Sequence, residues 1–439
     1  MQSPIRLGIA SVCNPLEVGA SEAPELLRTL QNTLTASGTA SLILMPSEPV
    51  VDPTSAVAAG RYFCDLRVDA ICVLAASWYE DYLVLDMLEE CRVPVIAWAR
   101  PGMETGSLCG MQQLCYILMQ LGHPYLFLFG NVDSSDIAQR ALRYATAAAL
   151  RQQLRRVRIG YLGHRVEGMT ETTGHELALK RLLGPRVVSL DSQVFLNRVA
   201  GVPPAAVREG WQQLKRRVGQ VCSADESGIA SMRVYEAMRG VIAEAGLSAV
   251  AVGCYPHLMG KVCLAASLLA EEGIPIACEG DINGAVGMLI LTHLTGQPVH
   301  NTDLLDPVAA DNAIVFSHCG SGGFSLATAP AQITLAPVRL MNSGLCCLFT
   351  ARPGPVTLLN IVPTLGGYRL AVLYGEAMAT GMVFPGNPLK VRFRSPYPDI
   401  LAWIAQEGLG HHWMGAYGDL REELSHLARL LGCEWLVRE

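Results

Sequence analysis

The chain has 439 residues, which at roughly 150 residues per domain suggests three domains, enough to bury several cores without staples. Its 51% hydrophobic and 16% charged content excludes a disordered chain, and 33 Lys+Arg against 39 Asp+Glu, a net charge of −6 with no basic block, excludes DNA and RNA as expected partners. No apolar run approaches the roughly 18 to 20 residues that span a bilayer, the start Met1 to Val12 has no leader pattern, and the 14 cysteines are scattered through apolar segments without CxxC spacing. A cytoplasmic protein with reduced thiols and no membrane partner is expected.

In chain order, candidate strands fall at Leu7 to Val12, Ser41 to Met45, Ala70 to Ala75, Val93 to Trp98 and Tyr125 to Phe129, with helices such as Ala23 to Ala36 and Leu108 to Leu121 between them. Wholly apolar strands alternating with helices predict a parallel sheet covered on both faces. The pattern restarts after a helix at Ser135 to Arg155, with strands at Arg158 to Leu162, Val187 to Leu190, Ala249 to Val252 and Ile274 to Cys278. Helices alternate with them near Glu176 to Leu183, Pro204 to Val218, Ser231 to Ala245, Met259 to Glu271 and Ile282 to Thr295. Beyond Ala327 the texture changes to short Thr, Val, Leu and Gly runs: Gln332 to Val338, Gly344 to Phe349, Pro355 to Val362, Tyr368 to Tyr374 and Leu389 to Phe393. Hairpin spacing of this kind predicts an antiparallel sheet or small barrel. A helix near Leu420 to Leu431 and a strand Glu434 to Val437 close the chain. The expected fold is therefore α/β: two doubly wound Rossmann-like domains, 1–155 and 156–327, followed by a C-terminal antiparallel β-barrel-like domain, 328–439, with a terminal helix.

Glycine-rich segments give little support to nucleotide binding. Gly160-Tyr161-Leu162-Gly163-His164 is not the dinucleotide fingerprint, and Gly260-Lys261 lacks Walker spacing. The loop Cys319-Gly320-Ser321-Gly322-Gly323 reads either as a backbone nest for an oxygen-rich ligand or as a connection into the third domain.

A more specific constellation starts at Cys278-Glu279-Gly280-Asp281-Ile282-Asn283. An apolar strand there ends in a carboxylate, and ligands of open α/β sheets gather at such strand ends, which places Glu279 like a site residue while Asp281 or Asn283 caps the following helix. A polar turn, His300-Asn301-Thr302-Asp303 to Asp306, then precedes the strand Ala313 to His318. A carboxylate and a histidine bracketing one strand suit a divalent ion with O and N ligands, such as manganese. Near the end, the adjacent imidazoles of His411 and His412 offer one ring that faces a metal and one that faces away.

In this order the motifs, Cys278-Glu279-Gly280-Asp281-Ile282-Asn283-Gly284-Ala285, Asp303, His318-Cys319-Gly320 and Gly410-His411-His412, resemble the L-fucose isomerase and L-arabinose isomerase superfamily. The resemblance covers residues 156–439. It implies a manganese-dependent aldose-ketose isomerase that works through a cis-enediol, with other divalent ions as substitutes. It further implies Glu279 and Asp303 as catalytic carboxylates and metal ligands, and His412 and His318 as further ligands, with Asp306 the alternative second carboxylate. Tyr255, His257, Ser321 and His411 are the expected substrate contacts, His164 and the turn Ser11 to Pro15 further ones, and a homo-oligomer, trimer or hexamer, is the expected assembly. An anionic sugar such as a sulfonate is the alternative substrate, for which the 320–323 loop, Arg369 or Arg392 are candidate contacts. The competing class is a sugar-binding protein without turnover, which two α/β domains in tandem also describe.

Overall fold

The computed structural model describes residues 4–37 and 41–439. They form two compact units: the described residues up to 153 joined by the returning segment Glu422–Leu430, and residues 154–421 with 431–439.

In the first unit the strands β1 (Ile5–Val12), β2 (Ser41–Leu44), β3 (Ala70–Ala75), β4 (Val95–Ala99) and β5 (Tyr125–Phe129) form one parallel sheet in the order β2-β1-β3-β4-β5. This is a doubly wound order. Every side chain of β3 and of β4 is buried, because helices cover both faces. The helix Pro53–Asp65 begins at a capping box in which the Asp52 side chain accepts from the Ser55 N–H. The returning segment is held to the helix Ser135–Leu154 by Arg143 and Glu422, 2.7 Å apart, and by an edge-on contact of Tyr144 with His426.

The second unit contains three sheets. The strands β6 (Arg158–Leu162), β7 (Arg186–Leu190), β8 (Gln220–Val221), β9 (Ala249–Val252) and β10 (Ile276–Ala277) supply a parallel sheet of order β10-β9-β6-β7, with β8 set apart. The strands β11 (His300–Val308), β12 (Ala313–Ser317), β13 (Thr334–Val338), β14 (Ser343–Leu348), β15 (Gly354–Pro363), β16 (Tyr368–Met378), β17 (Leu389–Arg392), β18 (His412–Tyr417) and β19 (Glu434–Arg438) complete it. Seven of them run β15-β18-β11-β12-β17-β16-β19, with an additional pairing of β15 to β16, while β14, β13 and β8 form a small third sheet. The fold is thus mixed α/β, with parallel Rossmann-like units and a separate antiparallel sheet. Among the described residues no helix is long and apolar enough to cross a membrane.

One element departs from expectation. The segment read as a polar turn, His300 to Asp306, is the strand β11, and it joins the antiparallel sheet well before residue 328. Its first three residues, His300, Asn301 and Thr302, are buried where they pair with β18, and Thr302 Oγ1 donates to the Trp413 carbonyl at 2.6 Å.

His300, at the start of β11, is 1% exposed, with neither ring nitrogen hydrogen-bonded and its ring against Tyr417. Burial, with a smaller push from Arg352, lowers its pKa to about 3, so the folded chain keeps this imidazole neutral. The unfolded chain takes up a proton as the pH falls through about 6.5. Below that point the unfolded state binds more protons, and stability falls with pH by about 1.4 kcal/mol per unit from this one group until about pH 3. The variant His300→Phe should therefore lose less stability than the wild type between pH 7 and pH 5. Urea denaturation at the two pH values measures this, and equal losses in the two proteins would refute it.

Candidate metal centre

The site is assembled at the carboxyl end of β10 and across three antiparallel strands. Glu279 lies one residue beyond the end of β10, after Cys278, and adopts φ 61°, and Gly280 follows at φ 71°. Left-handed backbone is unfavourable for a glutamate, and two successive left-handed residues turn the chain sharply into the helix Ile282–Thr295. Asp281 caps that helix by accepting the Gly284 N–H at 2.8 Å. A Cβ on Gly284 would lie 2.7 Å from Met414 Cε, so the absence of a side chain there lets the helix sit close against β18.

The remaining donors come from strand register. Asp303 on β11 is directly opposite His412 on β18 and opposite Ser317 on β12. His318 follows Ser317, so three adjacent strands present Asp303, His412 and His318 side by side. His412 Nε2 lies 3.2 Å from Glu279 Oε2 and 3.5 Å from Asp303 Oδ1. His318 Nε2 lies 3.7 Å from Asp303 Oδ1 and 3.9 Å from Glu279 Oε1. His411 Nε2 faces the same carboxylates at 3.7 and 3.8 Å.

All three imidazoles are oriented in the same way. Their Nδ1 atoms are occupied, by Asp281 Oδ2 for His412 at 2.8 Å, by Glu171 for His411, and by the Cys319 N–H for His318 at 2.9 Å. Their Nε2 atoms face the two carboxylates. A carboxylate that accepts from the far nitrogen, as at His412 and His411, is the usual support of a metal-ligating histidine, whereas His318 Nδ1 accepts the Cys319 N–H, which leaves the proton of its neutral ring on Nε2.

Charges in the site follow from this packing. Burial pushes the His412 pKa down, but the hydrogen bonds to Asp281 and Glu279 outweigh it, and the group is pushed up to about 9. Burial likewise lowers His318, and the charges of Asp303 and Glu279 raise it above its ordinary value. Burial raises Glu279, yet His411, His412 and His318 together hold it well below the usual carboxylate range. The two carboxylates thus draw positive charge towards themselves.

The donor set fits a divalent ion. Glu279, His318 and His412 offer ligand atoms all within 4.8 Å of one another, as do Asp303, His411 and His412. Asp303 Oδ1 and His318 Nε2 have no hydrogen-bond partner, although His318 is only 3% exposed. Such orphaned atoms are costly unless something occupies the space between them. Mixed carboxylate and imidazole donors match a hard-to-borderline ion.

Other expected site residues are placed differently. Asp306 is exposed and opposite Val315, beyond a bulge in β11, and takes no part in the cluster. Ser321 is buried with its hydroxyl 3.6 Å from Cys278 Sγ, and the Gly322 N–H is taken by Asn387 Oδ1 at 2.9 Å, so this loop spends its donors within the fold. Tyr255 and His257 are exposed just past Cys254, whose sulfur accepts the Glu279 N–H at 3.4 Å. Arg369 is committed to Glu434 and Glu407, and Arg392 lies opposite Glu376 at the β16–β17 pairing. Two residues were missed by sequence reasoning. Asp281 caps its helix as expected, but its second oxygen holds His412. Glu171, in the turn Thr170–Thr172, meets a histidine far away in the chain, for which no local pattern exists.

No family model matches the chain. It is 29% identical over 379 residues to a sulfoquinovose isomerase of Alkalicoccus urumqiensis, covering 82% of this chain and 84% of that protein. A sulfoquinovose isomerase of Priestia megaterium is 26% identical over 382 residues, covering 84% and 86%. More distantly, an L-arabinose isomerase of Nocardioides sp. is 22% identical over 431 residues, covering 89% and 85%.

Proposed function

We propose that the chain is a sugar isomerase of the fucose and arabinose isomerase superfamily, and that it interconverts a sulfonated aldose, such as sulfoquinovose, and the matching 2-ketose through a cis-enediol. The observation that carries this reading is the convergence of two carboxylates on one imidazole: Glu279 at 3.2 Å and Asp303 at 3.5 Å from His412 Nε2. The sulfonate is inferred from the relatives' substrate, where the sequence alone pointed first to an unspecified sugar.

The proton on C2 of an aldose is a very weak acid, and the reaction must carry it to C1. A carboxylate placed within about 3 Å of the carbon takes it as general base and returns it to the neighbouring carbon. In this reading Glu279 and Asp303 divide the work, one moving the carbon-bound proton and the other the hydroxyl proton. Glu279, Asp303 and His412, with His318 beside them, are assigned as ligands of one Mn²⁺ per chain. Such an ion would supply Lewis-acid polarisation of the substrate and would relieve the repulsion between the carboxylates. Asp281 accepts from His412 Nδ1 and so keeps the Nε2 lone pair of that ring turned inward, while the Cys319 N–H fixes the angle of His318. Tyr255 and His257 are read as contacts for the distal part of the sugar.

The same reading takes the pairing of β15 to β16 as closure of a barrel, and the chain as a cytoplasmic homo-oligomer, trimer or hexamer. Exposed Tyr116, Met119 and Phe129 on the first unit favour association. A stable monomer at micromolar concentration in light scattering would contradict the oligomer.

The reaction is tested in deuterium oxide with Mn²⁺ and either sulfoquinovose or L-arabinose. Sulfoquinovose should be converted to its ketose without NAD, ATP or phosphate, and the product should carry deuterium at C1. Complete retention of the original hydrogen removes the proton-shuttle role of the carboxylates. Turnover of L-arabinose but not sulfoquinovose overturns the substrate class.

A further inference from the structure

His411 and His412 are neighbours in sequence and their rings approach to 3.9 Å between centroids, yet each is anchored to a different carboxylate. His412 is 4% exposed and is held by Asp281 from the helix Ile282–Thr295. His411 is 34% exposed and is held through Nδ1 by Glu171, 2.5 Å away, from the short turn after β6. That turn is itself fixed: the Thr172 hydroxyl donates to the Met169 carbonyl at 3.0 Å, and Asn283 Nδ2 donates to the Thr173 carbonyl at 3.4 Å. His412 is therefore the deep ring and His411 the one on the solvent side, where a sugar has to enter. With a carboxylate oxygen on Nδ1, that nitrogen carries the proton of the neutral ring and Nε2 presents its lone pair. Nε2 faces Glu279 and Asp303 from 3.7 and 3.8 Å, close enough to share a substrate with them but too far for a hydrogen bond to either.

We propose that Glu171 is a positioning residue, which fixes the tautomer and angle of His411 so that His411 Nε2 accepts a hydrogen bond from a sugar hydroxyl at the reacting end. The assignment of that hydroxyl rests on the isomerase reading above. A partly exposed hydrogen bond between His411 and Glu171 would by itself contribute little to stability. Its value lies in orientation, since an imidazole free to flip would offer Nδ1 and Nε2 in turn to the substrate.

The test uses the full chain with Glu171→Ala and Glu171→Gln. The amide oxygen of Gln still accepts from Nδ1–H, whereas Ala leaves the ring unheld. Glu171→Ala should bind Mn²⁺ within about threefold of wild type by calorimetry while kcat for sulfoquinovose falls by about 10- to 100-fold, the range for loss of a group that orients a site residue. Glu171→Gln should recover most of that loss. In the metal-free protein, at a pH alkaline enough to keep the ring neutral, ¹⁵N spectra of His411, assigned through His411→Gln, should show the Nδ1–H tautomer in wild type and Glu171→Gln, and a shift towards Nε2–H in Glu171→Ala. Unchanged kcat and an unchanged tautomer in Glu171→Ala overturn the proposal. So does a loss of Mn²⁺ affinity beyond about tenfold, which would make His411 a ligand rather than a substrate contact. If wild type leaves sulfoquinovose unconverted, the isomerase reading falls, and the tautomer spectra alone decide whether Glu171 positions His411.

Discussion

Replacement of Glu279 by Gln is expected to lower isomerase turnover by about 10³-fold, in the middle of the range for loss of a positioned general base. The substitution preserves size and hydrogen-bonding capacity but removes the ability to take a proton. It also places an amide where Glu279 Oε2 now lies, 3.2 Å from His412 Nε2 and 3.7 Å from His411 Nε2. One of two anionic donors is thereby lost, and Mn²⁺ affinity should fall with turnover. Elemental analysis after dialysis and product chromatography read the two effects separately. Full metal content with unimpaired turnover in Glu279→Gln would remove this residue from the site.

The second large effect is expected at Asp281, because its two oxygens serve two structures at once. One caps the helix Ile282–Thr295 through the Gly284 N–H, and the other holds His412 Nδ1, both at 2.8 Å. Asp281→Ala removes a cap, at about 1 kcal/mol, and leaves a buried imidazole nitrogen unpaired, at about 1–3 kcal/mol, for a combined loss of roughly 2–4 kcal/mol. Metal affinity should fall about 10- to 100-fold as the ring loses its orientation. Asp281→Asn separates the two roles. Its amide oxygen still caps the helix, but the NH₂ group then faces His412 Nδ1 and favours the tautomer that puts a proton on Nε2, where the site needs a lone pair. Asp281→Asn should therefore retain most of the stability and lose most of the metal affinity. Urea denaturation and Mn²⁺ calorimetry on both variants test this, and parallel behaviour of the two variants would contradict the division of labour.

The parts of this fold that were legible in the sequence are those dictated by local pattern. Runs such as Ala70 to Ala75 are apolar at every position, which only a strand covered on both faces requires, and all six residues are buried. The change to short β-rich runs after Ala327 likewise announced an antiparallel sheet. The strand β11 was misread because His300, Asn301 and Thr302 are polar and yet buried, and polarity is the ordinary mark of a turn. Their burial depends on the pairing with β18, more than a hundred residues later in the chain. For the site, Glu279, Asp303, His318 and His412 each belong to motifs that can be read in sequence order. Their supports cannot, since Glu171 reaches His411 and Asp281 reaches His412 only after the fold closes. Ser321 illustrates the reverse: a glycine-rich loop that looks open in sequence is sealed against Cys278 and Asn387.

The left-handed backbone at Glu279 also bears on how the protein responds to selection. A residue with a side chain costs about 1–2 kcal/mol in that conformation relative to glycine. Glycine at position 279 should thus give a chain that melts about 1–4 °C higher and has no carboxylate at its centre. A library of position-279 variants screened for heat resistance alone should become enriched in glycine, while one screened for growth on the sugar should keep glutamate at the lower melting temperature. The strain at this single backbone position marks where endurance and turnover demand opposite residues.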